Sequence, residues 1–105
     1  MFTLETLAAT IDARASADAG ASYTRALLDK GAAHCARKFG EEAVEAVVAA
    51  CGGAPEPLRE EAADVLFHLL VLLKARGVPL AEVMAALEAR AKQSGHQEKA
   101  ARGPA

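Results

Sequence analysis

Apolar residues recur at the three- and four-residue spacing of an α-helix along most of the chain, and this periodicity restricts the fold more than any other feature. β-Branched residues are few, and no segment alternates apolar and polar residues over the length of a strand. Glycine and proline divide the periodic pattern into helix-sized segments. The sequence therefore predicts an all-α protein of about five helices.

Three helices are predicted in the first half of the chain. Thr3 is placed to cap the first helix and Ser22 to cap a short second one, which ends at Gly31. The third helix is predicted over residues 32–50, with an interruption at Gly40, where glycine costs about 1 kcal/mol relative to alanine. The inner face of the first helix is predicted to carry Leu4, Leu7, Ala8 and Ile11.

Two further helices are predicted after a loop at residues 54–57. Pro57 suits the first position of the fourth helix, which is predicted over Leu58–Arg76, and Pro79 opens the fifth. The inner face of the fifth helix is predicted to carry Leu80, Val83, Met84 and Leu87.

Alanine limits what this chain can bury, because it makes up 27 of the 55 apolar residues. Alanine favours helix but covers little surface, and a lone domain of this size buries well under about three-quarters of its unfolded surface. Residues 1–93 are predicted to form one helical domain, followed by a polar tail at 94–105 that we expect to be ordered only by a ligand or partner. A second copy would supply the missing core, and a self-sufficient bundle is the alternative.

Charge and hydropathy argue against two classes of partner. The formal net charge is −2, without the basic patch that binds nucleic acid. The most apolar stretch, residues 65–73, contains His68 and is far shorter than the roughly 20 residues of a membrane span. The first residues lack the features of a signal peptide, so we expect a cytoplasmic location. Cys35 and Cys51 would lie about 24 Å apart on one helix, so we expect two free thiols.

The third predicted helix carries its acids on a narrow strip. With Glu42 at 0° on a helical wheel, Glu45 lies near about 300° and Glu41 near about 260°. Lys38 joins this strip, and apolar side chains occupy the arc from roughly 40° to 240°. Because a surface helix has a wide polar face, this helix is predicted to be enclosed on most sides.

The fourth predicted helix repeats that arrangement. With Glu61 at 0°, Asp64 lies near about 300° and His68 near about 340°, and the rest of the helix is mostly leucine and valine. A helix that is apolar nearly all round is typical of a buried position. We interpret His68 as a packed, hydrogen-bonded side chain rather than a ligand.

Acids grouped beside apolar surface repel one another and need compensation, which bases, protonation or a hard divalent cation can supply. Lys38 is the one nearby base on the third-helix strip and cannot balance five acids, which favours a cation. An all-oxygen site selects Mg²⁺ or Mn²⁺, and Mg²⁺ usually works beside substrate phosphates, so the sequence predicts a phosphate ester or anhydride as substrate. Ordinary solvated helix faces are the alternative. The five acids are Glu41, Glu42, Glu45, Glu61 and Asp64.

The same acids carry a resemblance to a known family. The segments 40–45 and 61–64 match the EExxE…ExxD signature of the all-α nucleoside-triphosphate pyrophosphatases, which include the MazG-like enzymes. Within that superfamily the chain resembles the phosphoribosyl-ATP pyrophosphatases of histidine biosynthesis. The narrower resemblance rests on Ser22-Tyr23-Thr24, Lys38, residues 67–73 and the tail motif Arg90-x-x-x-Ser94-Gly95-x-x-Glu98-Lys99.

The resemblance implies hydrolysis of the α–β phosphoanhydride of phosphoribosyl-ATP, in a helical bundle assembled from a homodimer. It implies Mg²⁺ as cofactor, with Mn²⁺ as a substitute, held by the five acids. The implied catalytic residues are Glu41, Glu42 and Glu45, with Glu41 or Glu42 activating water. The implied substrate-binding residues are Lys38, Ser22, Tyr23, Thr24 and Lys99.

Several alternatives stay open from the sequence. Lys38 equally suits a salt bridge to the acids, and the Ser22–Thr24 segment equally suits capping and packing. A related hydrolase of non-standard nucleotides would use the same acids. A non-catalytic helical dimer that serves as a binding module would need no metal at all.

Overall fold

A computed structural model describes residues 1–18, 20 and 22–93 of the 105-residue chain. This part of the chain folds into helices without a strand, which confirms the all-α prediction. None of its helices is long and apolar enough to cross a membrane. The helices are α1 (Leu4–Ala15), α2 (Tyr23–Asp29), α3 (Ala32–Cys51), α4 (Pro55–Ala75) and α5 (Leu80–Ala91). The predicted tail at 94–105 lies outside the described residues.

Side-chain caps begin the first two helices as predicted. The Thr3 hydroxyl accepts the N–H of Thr6 at 3.1 Å, and the Ser22 hydroxyl accepts the N–H of Arg25 at 3.1 Å. Each contact satisfies a backbone donor that has no partner inside its helix. Gly31 follows α2 with a φ of 93°, a left-handed conformation that glycine adopts without a steric penalty, so the predicted stop is also confirmed.

Two predicted boundaries are wrong. Helix α3 is continuous through Gly40, because one glycine costs only about 1 kcal/mol and this helix of 20 residues packs along α4. Helix α4 begins at Pro55, so the loop predicted at 54–57 is its first turn. The first backbone N–H groups of a helix have no intrahelical partner, so Pro55 and Pro57 remove nothing that the helix needs.

The buried core is as small as the alanine content suggests. Five apolar residues from four helices form it, and a ring of half-buried leucines surrounds them. The thiol of Cys35 donates to the carbonyl of Leu27 at 3.4 Å, which connects α3 to α2. Cys35 is buried and Cys51 exposed, and both are free thiols, as predicted. The core residues are Ile11, Leu27, Cys35, Leu70 and Val71.

Helices α3 and α4 form the long antiparallel hairpin that carries the candidate site. Their connection is only three residues long, and Gly53 in it has a φ of 88°. The outer face of α3 is open, with Val44, Val47 and Val48 between 62% and 66% exposed. The predicted enclosure of α3 is therefore absent in this single chain.

Helix α5 packs only at the edge of the core. None of its residues is buried, and Leu80 at its start makes its contact with the core. Met84 and Leu87 are 37% and 51% exposed, so their predicted place on an inner face is wrong for the chain taken alone.

Candidate functional site

The turn between α3 and α4 sets their acids at matching levels. Glu45 lies six residues before the end of α3, and Glu61 lies six residues after the start of α4. Glu42 and Asp64 are each nine residues from the same ends. At about 1.5 Å per residue, one pair lies about 9 Å and the other about 14 Å from the turn. The hairpin thus brings the acids of the two sequence motifs to one place.

Three of these acids form a tight cluster, since one side-chain oxygen from each of Glu42, Glu45 and Glu61 lies within 4.8 Å of the others. The hydrogen bond that protonated Glu42 donates to Glu45, followed by burial and the negative charges of Glu45 and Asp64, raises the pKa of Glu42 to about 7. The positive charge of Lys38 offsets part of that rise in pKa. Two carboxylates can share a hydrogen bond only when one is protonated, and a pKa of about 7 leaves Glu42 about half protonated at neutral pH.

Glu61 has a buried oxygen that lacks a partner. Its Oε2 atom has no hydrogen-bond partner among the described residues. Burial, and then the charges of Glu45 and Asp64, raise the pKa of Glu61 above the usual value for a glutamate. A buried polar atom without a partner is costly, so this oxygen is placed to meet a cation or a donor from outside the chain.

The cluster of Glu42, Glu45 and Glu61 fits a hard divalent cation. All its donors are carboxylate oxygens, the ligands that Mg²⁺ and Mn²⁺ prefer. Opposite ligands of one Mg²⁺ lie about 4 Å apart, twice the Mg–O distance, so the observed spread of 4.8 Å requires only a small adjustment. A bound cation would also remove the repulsion and the unpartnered oxygen.

The remaining predicted ligands lie at the margin of this cluster. Glu41 points to Lys38, with 3.5 Å between Oε1 and Nζ, and its side chain is 57% exposed. The charge of Glu41 and this hydrogen bond are the main causes that raise the pKa of Lys38. Asp64 is exposed and acts on Glu42 and Glu61 through its charge. In this state Lys38 is the salt-bridge partner that the sequence offered as an alternative.

Of the three predicted substrate contacts on α2, only Tyr23 is open to a ligand. Ser22 is buried and uses its hydroxyl within the fold, accepting from the N–H of Arg25 and donating to the carbonyl of Arg14 at 3.2 Å. Thr24 is 1% exposed, whereas Tyr23 is 58% exposed. The predicted substrate contact Lys99 lies outside the described residues.

His68 is a packed and hydrogen-bonded side chain, as interpreted from the sequence. It is 6% exposed, and its Nδ1 lies 2.8 Å from the backbone carbonyl of Asp64. Its Nε2 faces the Tyr23 hydroxyl at 3.5 Å, a contact between α2 and α4 that sequence spacing could not reveal. The sequence shows only that His68 lies on the same strip of α4 as Glu61 and Asp64, which does not identify Tyr23 as its partner.

The fold and the site define an all-α protein whose two longest helices bring a cluster of carboxylates together. A family model described as phosphoribosyl-ATP pyrophosphohydrolase matches residues 4–91. "Phosphoribosyl-ATP pyrophosphatase 1" of Rhodopseudomonas palustris is 61% identical over 101 residues, which cover 96% of this chain and 94% of that protein. "Phosphoribosyl-ATP pyrophosphatase" of Cereibacter sphaeroides is 60% identical over 103 residues, covering 98% and 100%. The chain belongs to the phosphoribosyl-ATP pyrophosphohydrolase family, a family of hydrolases, which confirms the resemblance.

Proposed function

We propose that this chain hydrolyses phosphoribosyl-ATP to phosphoribosyl-AMP and pyrophosphate, the second step of histidine biosynthesis. Water is added across the α–β phosphoanhydride, and pyrophosphate is the leaving group. The observation that carries the proposal is the cluster of Glu42, Glu45 and Glu61, in which the Oε2 atom of Glu61 is buried without a hydrogen-bond partner among the described residues. Membership of the family supplies the substrate class.

The proposed cofactor is Mg²⁺, with Mn²⁺ as a substitute. The cluster of Glu42, Glu45 and Glu61 would hold it, and Glu41 and Asp64 at the margin would complete the ligand set. Bound Mg²⁺ would neutralise the charge that develops on the leaving pyrophosphate. The carboxylates would hold the cation on the two packed helices before the substrate arrives, which limits the rearrangement needed during the reaction.

Two side chains on α3 are proposed to act on water and phosphate. Of the two candidates for activating water, Glu42 is the one whose carboxylate lies in the cluster with Glu45 and Glu61. Glu41 is engaged by Lys38 instead. The Lys38 ammonium is half-buried beside the acids, and in the complex it would exchange Glu41 for a substrate phosphate.

A second copy of the chain is proposed to cover the outer face of α3. Val44, Val47 and Val48 leave an apolar surface open on the helix that also bears the acids, and a homodimer would bury it. Sedimentation equilibrium at micromolar concentration tests this, and we expect twice the chain mass. A strictly monomeric protein with full activity would contradict the proposed dimer. The cytoplasmic location expected from the sequence stays a prediction.

Pyrophosphate release from phosphoribosyl-ATP is the direct test. We expect turnover with Mg²⁺ and none in EDTA. Glu45→Gln should reduce kcat at least about a hundredfold with the helical signal retained, because it removes a ligand from the cluster. Glu60→Gln is the matched control, since Glu60 lies beside Glu61 but is 73% exposed and ion-paired to Arg59. Equal rates for the two variants would refute the role of the cluster.

Two further measurements separate the alternatives. Prompt hydrolysis of deoxynucleoside triphosphates without any turnover of phosphoribosyl-ATP would indicate a hydrolase of other nucleotides. Titration of Mn²⁺ into the wild type and into Glu42→Gln/Glu45→Gln distinguishes a non-catalytic module. Binding should be lost in the double variant, whereas equal and negligible binding in both proteins would contradict a metal site.

A further inference from the structure

Three aromatic rings join α2 to the acid-bearing helix α4. Tyr23 stacks on Phe67 with 6.2 Å between ring centroids and 16° between ring planes. His68 meets both rings edge-on, at 5.1 Å from Phe67 and 6.3 Å from Tyr23. His68 is buried within the fold, whereas Tyr23 is 58% exposed to solvent.

The two contacts of His68 determine which of its nitrogens carries the proton. Nδ1 lies 2.8 Å from the carbonyl oxygen of Asp64, which can only accept, so Nδ1 must donate. In the neutral imidazole Nε2 is then an acceptor. Its neighbour at 3.5 Å is the Tyr23 hydroxyl, so a hydrogen bond between the two requires the hydroxyl to donate to Nε2. This length is long for a hydrogen bond, and the ring packing holds the pair together.

We propose that His68 is a positioning residue that binds the hydrogen of the Tyr23 hydroxyl, so that Tyr23 meets the substrate only as a hydrogen-bond acceptor and contacts an N–H or O–H group of the nucleoside. The proposal rests on the proposed function and names the part of the substrate that this side of the site recognises.

The groups around Tyr23 agree with a site in which Tyr23 contacts the nucleoside and other residues contact the phosphates. A phosphate oxygen accepts hydrogen bonds, so it would find no free hydrogen on a hydroxyl that already donates to His68. The Lys38 ammonium lies near Tyr23 and offers phosphates a charged partner. Tyr23 and Phe67 thus form the nucleoside side of the site, and Lys38 with the acids forms the phosphate side.

The imidazole can be examined without any turnover. ¹⁵N NMR of the wild-type protein distinguishes the two neutral tautomers, and His68→Asn identifies the signal of His68 among the three histidines. We expect the proton on Nδ1. A neutral His68 with the proton on Nε2 would overturn the proposal, because Nε2 could not then accept from Tyr23.

Inhibition by two probes shows which part of the substrate Tyr23 meets. Tyr23→Phe should weaken inhibition of phosphoribosyl-ATP hydrolysis by AMP about three- to tenfold, the usual effect of one hydrogen bond, and leave inhibition by pyrophosphate unchanged. The opposite pattern would place Tyr23 on the phosphates and overturn the proposal. 2′-Deoxy-AMP lacks the 2′-hydroxyl of AMP, and IMP lacks its amino group. If Tyr23 accepts from one of these groups, Tyr23→Phe should no longer weaken inhibition by the analogue that lacks it.

A double-mutant cycle tests whether His68 acts through Tyr23. His68→Asn keeps a donor near the Asp64 carbonyl and removes the acceptor at Nε2. We expect it to raise KM about three- to tenfold with kcat within about twofold, as Tyr23→Phe does, and the double variant to equal either single one. Effects on KM that multiply would show that His68 acts independently.

A matched control and a folding check complete this cycle. His34→Asn changes a histidine at the start of α3, away from the three rings, and should leave KM unchanged. If His68→Asn does not fold, the NMR result and the Tyr23→Phe probes still decide the question. Absence of wild-type turnover would refute the proposed function instead, and the tautomer measurement would stand apart from it.

Discussion

Binding of a divalent cation should release protons, because Glu42 is partly protonated near neutral pH in the metal-free protein. The hydrogen bond that protonated Glu42 donates to Glu45, together with burial and neighbouring charges, raises the pKa of Glu42 to about 7. A group with that pKa is about half protonated at pH 7, and metal binding requires the charged form. We expect about 0.5 proton released per site at pH 7, about 0.9 at pH 6 and about 0.1 at pH 8.

Titration calorimetry with Mn²⁺ in two buffers of different ionisation enthalpy measures this release. The apparent affinity should also fall about tenfold between pH 8 and pH 6, following the charged fraction of Glu42. Glu42→Gln should abolish the released proton, whereas the exposed control Glu60→Gln should keep it. If the binding enthalpy of the wild type at pH 7 were the same in both buffers, no proton would be released, and the partly protonated Glu42 would be refuted.

The same raised pKa determines how stability depends on pH in EDTA. Between the ordinary pKa of a glutamate, 4.5, and about 7, folded Glu42 keeps a proton that the unfolded chain has lost. The contribution of Glu42 to stability is therefore fully present below about pH 4.5 and is lost as the pH rises through about 7. Thermal unfolding of the metal-free protein should show a higher Tm near pH 5 than near pH 8, and Glu42→Gln should reduce this difference.

Three substitutions test the fold. Glu61→Gln should raise the Tm of the metal-free protein at pH 8, since burial and two neighbouring acids disfavour its charge, and the gain should shrink at pH 5. Gly40→Ala should stabilise by about 1 kcal/mol in urea unfolding, because no atom lies within 4 Å of the added Cβ, and an unchanged midpoint would contradict this. Leu27→Ala should cost about 2–5 kcal/mol by the same measurement, because Leu27 is 4% exposed in the core; a cost under about 1 kcal/mol would show that the site collapses.

Local chemistry allowed part of the fold to be predicted from sequence. The caps at Thr3 and Ser22 and the stop at Gly31 each depend on one residue type at one position, so they could be read directly. The acid motifs were also readable, since residues three or four apart on a helix share a face. That the motifs of α3 and α4 meet follows only once the turn between the helices is known.

The wrong predictions have different physical causes. Gly40 weakens a helix locally, yet α3 continues because its contacts with α4 extend along it. The prolines at 55 and 57 were assigned to a loop, although both fit a first helical turn. The contact between Tyr23 and His68 joins residues 45 positions apart, and no local pattern encodes it.

The acid strip and the exposed valines lie side by side on the surface of α3. On the helical wheel Val48 lies about 60° from Glu45, so a surface that covers the valines ends beside the acid strip. Among the described residues the core contains five buried apolar side chains, and Val44, Val47 and Val48 lie outside it on an exposed face. A second copy over the valines would supply the missing apolar contact and also exclude water from the flank of Glu45. Less water strengthens the attraction between the acids and a cation, so the proposed dimer and the proposed metal site support each other.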